Sequence, residues 1–374
     1  MWIEKIGLHN FDSYISFRRN MWPTHDSAGH WEIALEKYVF NPHASLCPGT
    51  GLYACFEGGN IRGIAGAYPM PITYSGELYP GHMLVDWAVL PEREHPENIK
   101  SVWSKKLYAA KLFEFVMALP GLKFGSYGTR FSQAPLERAS TRIPACQAAA
   151  LIMPARAALL EALRLRRSAQ PSPLAAMPLY VLNRARSISP DDLPNTPPPN
   201  LDGTAHVWRD VAFWRQYFNC RSCNGAFALL IEHGREIGYA VLNLLEVGRF
   251  RFANLLLLHI VDPHPRSAYQ LGLSARRALQ ELGVCFVLAT DSDDVVHFFL
   301  NGAGTYVVRR PTVWWRIPRP SDSLPVEGIP WHFTSADRDG IWWPGQQTPE
   351  VEEHSRLPRQ TTRRERSIAT AAHN

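Results

Sequence analysis

Two short apolar runs each carry one group able to move a proton. In HMLVDWAVL, His82 to Leu90, Asp86 is the only acid among strand-forming residues. Burial in such a strand would raise its pKa toward that of a useful general base; the alternative is that it bonds a neighbouring backbone group or an arginine. In NLLLLHIV, Asn254 to Val261, His259 stands near the end of the run, as a base or as a satisfied core histidine. Metal chemistry finds less support. Cys220 and Cys223 have zinc-knuckle spacing, but no second Cys-x-x-Cys or His pair completes a tetrahedral site, so no metal is expected. Asp291, Asp293 and Asp294 read more simply as an N-cap and acids of a first helical turn than as a cation site.

The elements that must position these groups repeat along the chain. Each apolar run is followed by a proline-containing loop, an amphipathic helix, a glycine and a further apolar run. In the first helix Ile99, Val102, Trp103, Leu107, Ala110, Phe113 and Met117 share a face; in the second Leu271, Ala275, Ala278, Leu279 and Leu282 do. Gly121 and Gly283 follow them as left-handed C-caps. The runs before the helices are too uniformly apolar for a one-sided sheet and predict central strands covered on both faces. Short strands, KFGSYG and VCFVLA, are expected after the helices. Between the copies, SPDDLPNTPPPNLDG, Ser189 to Gly203, has the proline density of an extended linker.

At 374 residues the chain exceeds what one core normally fills, which predicts two domains. The expected division is 1–188, a linker at 189–203, a second domain at 204–345 and a disordered tail at 346–374, polar and without periodicity. No run approaches the roughly 20 apolar residues that span a bilayer, and the start lacks a secretory apolar stretch; no membrane partner and a cytoplasmic location are expected. Six cysteines are too sparse for a disulfide framework and are expected to be reduced. Between Arg156 and Arg186 six arginines face the single acid Glu161. Without aromatic interleaving these read as a solvated helix end and not as a nucleic-acid surface. WHFTSADRDGIWWPG, with Trp331, Trp342 and Trp343, is expected to pack onto the second domain.

Strand, loop, helix and strand, with Val261-Asp262-Pro263-His264-Pro265-Arg266 at the strand end, resemble the acetyl-CoA-binding core of the GNAT acyltransferase superfamily. The first copy has Val89-Leu90-Pro91-Glu92-Arg93, with the arginine one position early. Upstream, GLYACFEGGNIRGIAGAYPM and AFALLIEHGREIGYAVLNLLE resemble the superfamily's second and third strands; downstream, DDVVHFFLNGAGTYVV resembles its fourth helix and closing hairpin. HWEIALEKYVFNP is similar to a stretch of uncharacterised bacterial tandem GNAT-like proteins. The resemblance implies an α/β fold with an α+β mixed sheet, in two tandem GNAT-like domains.

It also implies a cofactor loop. The superfamily follows its arginine with Gly-x-Gly, so that backbone N–H groups at a helix N-terminus close on the pyrophosphate. Here those positions read Ser267-Ala268-Tyr269 in the second copy and roughly His95-Pro96-Glu97 in the first, where Glu94 and Glu97 would repel phosphate. The second copy is therefore the expected CoA site, through Val261, Pro263, Arg266, Ser267 and Ala268, with Val89 and Arg93 as the first-copy equivalents. The superfamily's tyrosine, which protonates the leaving thiolate, has no match before the fourth-helix glycine; Tyr306 or His297 is the nearest stand-in. Acyl transfer from acetyl-CoA or another acyl-CoA to a small amine, amino sugar or carrier-bound intermediate is the function implied, with Asp86, His259 and Tyr306 as candidate catalytic residues. The other class is a noncatalytic ligand- or partner-binding module that has lost CoA binding.

Overall fold

A computed structural model of the chain describes residues 1–22, 27–90, 99–125, 140–152, 179–180, 187–188, 203–219, 226–232, 236–247, 250–261, 264–291, 295–304, 307–319, 321–324 and 328–334. The first half runs β1 (Trp2–Lys5), α1 (Phe11–Met21), α2 (Ser27–Tyr38), the hairpin β2 (Gly51–Glu57) and β3 (Asn60–Pro69), the short β4 (Ile72–Tyr74) and β5 (Glu77–Tyr79), β6 (Gly81–Val89), α3 (Ile99–Ala118), β7 (Leu122–Gly125) and β8 (Thr141–Leu151). The two-residue strands β9 (Leu179–Tyr180) and β10 (Ser187–Ile188) pair with each other. The second half runs β11 (Ala205–Val207), α4 (Val211–Asn219), β12 (Ala226–Glu232), β13 (Glu236–Val247), β14 (Phe250–Ile260), α5 (Pro265–Glu281), β15 (Phe286–Asp291), α6 (Val295–Ala303), β16 (Val307–Ile317) and β17 (Trp331–His332). Linker residues 189–202, the pairs Asp293/Asp294 and Cys220/Cys223, and the chain beyond Thr334 lie outside the described residues.

The mixed α/β architecture matches the expectation, and its repeated unit is two antiparallel strands, a third strand, a helix and a parallel strand. β2-β3-β6-α3-β7 is one copy and β12-β13-β14-α5-β15 the other. Among the described residues of the main sheet, β6/β7 and β14/β15 pair in parallel, each joined through its crossover helix. β2 and β3 are covered on both faces. Leu52, Ala54, Phe56 and Ile64 belong to the large core shared with α1 and α2, while Tyr53, Cys55, Ala65 and Ala67 pack with Tyr108, Leu112 and Val116 of α3. Leu271, Ala275 and Leu279 of α5 are fully buried, as their spacing predicts. Gly121 and Gly283 have φ of +82° and +71°, the left-handed caps expected after these helices.

Among the described residues the two copies share one eleven-stranded sheet, ordered β1-β2-β3-β6-β7-β16-β8-β15-β14-β13-β12. At its middle the halves exchange strands: β16 from the second half pairs with β7 and β8, and β8 from the first half pairs with β15. A smaller sheet, β17-β11-β4-β5, ties them again. Trp331 and Phe333 pack on Phe124 of β7, with ring centroids 5.5 and 5.4 Å away, so the start of the aromatic segment expected on the second domain contacts a first-half strand. The C-terminus of α3 is held by cations from both halves. Lys123 Nζ donates to the carbonyls of Leu119, Pro120 and Gly121 at 2.8–2.9 Å, and Arg319 donates to those of Met117, Leu119 and Gly121. These groups complement the negative end of the helix dipole.

The exchange predicts how the chain responds to cutting. If a specific protease site is placed between Pro199 and Asn200 and cleaved, the two fragments should elute together at the intact mass, because separating them would leave β16 and β8 without partners along their ladders. Separate elution of two folded fragments would show that the halves are independent.

Candidate functional site

The same irregularity marks both copies. In the β3/β6 pair the register shifts between Ile64 and Gly66, inserting one extra residue into β6. In β13/β14 it shifts between Val241 and Leu242, inserting Leu256. Among the described residues the parallel ladders run over Gly81–Met83 of β6 and Phe252–Leu255 of β14, and each bulge follows its ladder. A bulge bends its strand. In the second copy, among the described residues, β14 and β15 no longer pair beyond it.

Asp86 occupies the first bulge with φ +53°, a left-handed conformation that few residues other than glycine adopt. The end of α2 supplies its partners. Lys37 Nζ donates to Asp86 Oδ2 at 2.7 Å, and the Tyr38 hydroxyl donates to the same oxygen. Among the described residues nothing donates to Oδ1. The Lys37 side chain is 0% exposed and that of Asp86 16%. Tyr38 reaches Asp86 only because residue 66 lacks a side chain: a Cβ there would lie 1.9 Å from the Tyr38 hydroxyl oxygen. Arg18 of α1, its guanidinium 4.0 Å over the ring of Trp22, adds a second positive charge.

These neighbours reverse the protonation expected for Asp86. Burial pushes its carboxyl up, but the Lys37 charge, the hydrogen bonds from Lys37 and Tyr38, and the Arg18 charge together hold it below the usual carboxylate range. The group is ionised throughout the neutral range, and its partners are a lysine and a tyrosine where an arginine or backbone group was the alternative.

The second copy is built differently. Its bulge carries Leu256, fully buried among aliphatic strand residues. His259 is 7% exposed, lies 4.9 Å from the Tyr239 ring, and has no partner for Nδ1 among the described residues; burial pushes its pKa down to about 4. The start of α5 is spent on itself. Pro265 has no N–H, the Arg266 N–H donates to His264 Nδ1 at 3.1 Å, and the Ser267 and Ala268 N–H groups both turn to the His264 carbonyl, at 2.9 and 3.2 Å. The Ser267 and Ala268 N–H groups thus point to His264, where the resemblance places a pyrophosphate. Ala268 is fully buried, Val261 is 45% exposed, and the Arg266 side chain is exposed. Pro263, Arg93 and Tyr306 lie outside the described residues; Val89 is half-buried against the α3-side core.

Asp86 and His259 do not form one centre. Four strands, β7, β16, β8 and β15, separate β6 from β14, which places the two residues about 24 Å apart at the usual strand spacing. Sequence reasoning missed Lys37, Tyr38 and Gly66. The available signal was a lysine at the end of HWEIALEKY, three residues after Ala34 on the face that carries Trp31 and Tyr38, which its charge alone assigns to solvent.

Two buried imidazoles give the fold an acid limit. Burial, reinforced by the Lys123 charge, pushes His82 down to about 3, and burial pushes His259 to about 4. Unfolded histidines take up protons near pH 6.5, so between that pH and the folded pKa values the unfolded chain binds more protons and stability falls as pH falls. The expected loss is about 2 kcal/mol per histidine between pH 7 and pH 5. Urea midpoints at the two pH values test this: the drop should shrink in His259→Phe, and an equal drop in the variant would exclude His259 as a cause.

No protein-family model matches the chain, and no curated protein matches it. Among solved structures it is similar to the GCN5-related N-acetyltransferase from Anabaena variabilis, with a TM-score of 0.49 and 10% identity, covering 84% of this chain and 72% of that one. It is similar also to the GCN5-related N-acetyltransferase from Kribbella flavida, with a TM-score of 0.45 and 12% identity, covering 84% and 71%. A third is the N-myristoyltransferase of Saccharomyces cerevisiae with bound myristoyl-CoA, with a TM-score of 0.45 and 9% identity, covering 87% and 86%. These likenesses concern the arrangement of strands and helices. Among the described residues no helix is long and apolar enough to cross a membrane.

Proposed function

We propose that the protein is an acyl-CoA-dependent N- or O-acyltransferase whose reaction takes place at the β6 bulge. Acetyl-CoA or another acyl-CoA is the donor, and a small amine, amino sugar or carrier-bound intermediate is the acceptor. The division into domains at 1–188 and 204–345 and a cytoplasmic location belong to the same reading. The observation that carries it is Asp86, an ionised carboxylate in a left-handed backbone conformation, partly exposed and with one oxygen that no described residue binds. Such conformations are costly and cluster at functional sites. That oxygen accepts a hydrogen bond from the acceptor's N–H or O–H and takes its proton as the acceptor attacks the thioester carbonyl.

A second reading, a noncatalytic binding module that has lost CoA, is favoured by the start of α5, where the first-turn N–H groups are already used. Calorimetric titration with acetyl-CoA and longer acyl-CoAs, together with release of free thiol, separates the two: binding with turnover supports the enzyme, and no binding at millimolar ligand overturns it. Arg266→Ala is expected to change CoA affinity less than about threefold. A loss of roughly 10- to 150-fold, the worth of a charge-assisted contact, would return the donor to the second copy.

A further inference from the structure

The two oxygens of Asp86 are used unequally. We infer that Lys37 and Tyr38 are positioning residues for Asp86, taking Oδ2 between them so that Oδ1 alone meets the attacking group of the acceptor. The inference rests on the reading of Asp86 as the group that receives the acceptor's proton.

Three features support it. Both donors bind one oxygen, so rotation of the carboxylate that exchanged Oδ1 and Oδ2 would break two charge-assisted bonds. The donors are consecutive residues at the end of one helix, and their reach depends on Gly66, whose missing Cβ leaves room for the Tyr38 hydroxyl against β3. The groups facing the carboxylate are Lys37 and Tyr38 from α2 and Arg18 and Tyr14 from α1, with Tyr68 of β3 behind Lys37 at 5.9 Å from its Nζ. Lys37 and Arg18 are its cationic neighbours, and they stabilise the ionised form.

In the reaction this arrangement serves, a bond forms between the acceptor nitrogen or oxygen and the thioester carbonyl carbon, and the carbon–sulfur bond breaks with its electron pair on sulfur. The acceptor's proton passes to Oδ1, and the resulting acid returns it to the thiolate. The products are the acylated acceptor and free CoA.

Tyr38→Phe keeps the ring and removes only the donor. With acetyl-CoA and thiol release as the readout, kcat should fall about 10- to 100-fold while KM for acetyl-CoA is unchanged, and the acid limb of the pH–kcat profile should move upward. Gly66→Ala, which displaces the same hydroxyl, should reproduce the shift, and Lys37→Arg, which keeps the charge, should lose less than Lys37→Met. A kcat and acid limb unchanged in Tyr38→Phe would overturn the inference, leaving Tyr38 and Lys37 as structural partners. The titration of Asp86 itself, followed by the carboxyl-carbon signal of 13C-aspartate-labelled protein and assigned with Asp86→Asn, needs no turnover. No shift of that titration in Tyr38→Phe also overturns the inference. A shift without turnover in the wild type overturns the acyltransfer reading on which it rests.

Discussion

Asp86→Asn is expected to lower acyl transfer by about 10²- to 10⁴-fold, the range of a lost proton acceptor. Asparagine matches aspartate in shape, and the surroundings decide which way its amide turns. Lys37 and Tyr38 both donate toward the Oδ2 position, so the amide oxygen must face them. The NH2 group then takes the place of Oδ1. The acceptor's N–H or O–H thus meets a donor where it needs an acceptor, and no group is left to take its proton. Binding of acetyl-CoA should be unchanged, because the substitution alters the acceptor side alone. Initial rates of thiol release at saturating acetyl-CoA measure the effect, and a loss of less than threefold would remove Asp86 from the reaction.

The second large effect concerns stability. Lys37→Met should cost about 3–5 kcal/mol, the usual range for removing one partner of a buried ion pair. The methionine fills the space of the lysine stem, so cavity formation contributes little; what remains is a carboxylate in a largely enclosed site with its nearest cation gone. The double variant Lys37→Met/Asp86→Asn should recover most of the loss, because no charge is then left buried. Urea unfolding of the three variants and the wild type gives the coupling directly. A double variant no more stable than Lys37→Met alone would show that the cost lies in packing and not in the ion pair.

Much of the fold was legible because its cause is local. The apolar runs around Asp86 and His259, the helical faces of Leu271, Ala275 and Leu279, and the glycines after each helix follow from periodicity and from backbone preferences set residue by residue. The repeat of hairpin, strand, helix and strand is a repeat of those local patterns, and it appears in the structure in both copies.

The candidate site was legible only in part. Asp86 stands out in the sequence as an acid in an apolar strand, but its ionisation depends on Lys37, 49 residues earlier, and on Arg18 earlier still. In the second copy the sequence shows an arginine and a serine at a helix start, whereas the turning of their N–H groups onto His264 is a matter of how one loop closes.

The sequence by itself therefore determined the kinds of element, their order and the buried face of α5, since these depend on side chains a few positions apart; in α3 the expected face was wrong, for Leu107 is 48% exposed and Tyr108, Leu112 and Val116 are buried instead. Tertiary structure alone decided that the halves exchange β8 and β16, that each copy carries a bulge in its third strand, and that one buried lysine and one tyrosine hold one oxygen of Asp86. Those outcomes depend on contacts between segments far apart in the chain, whose geometry follows from the packing of the whole sheet and leaves no period or spacing in the sequence.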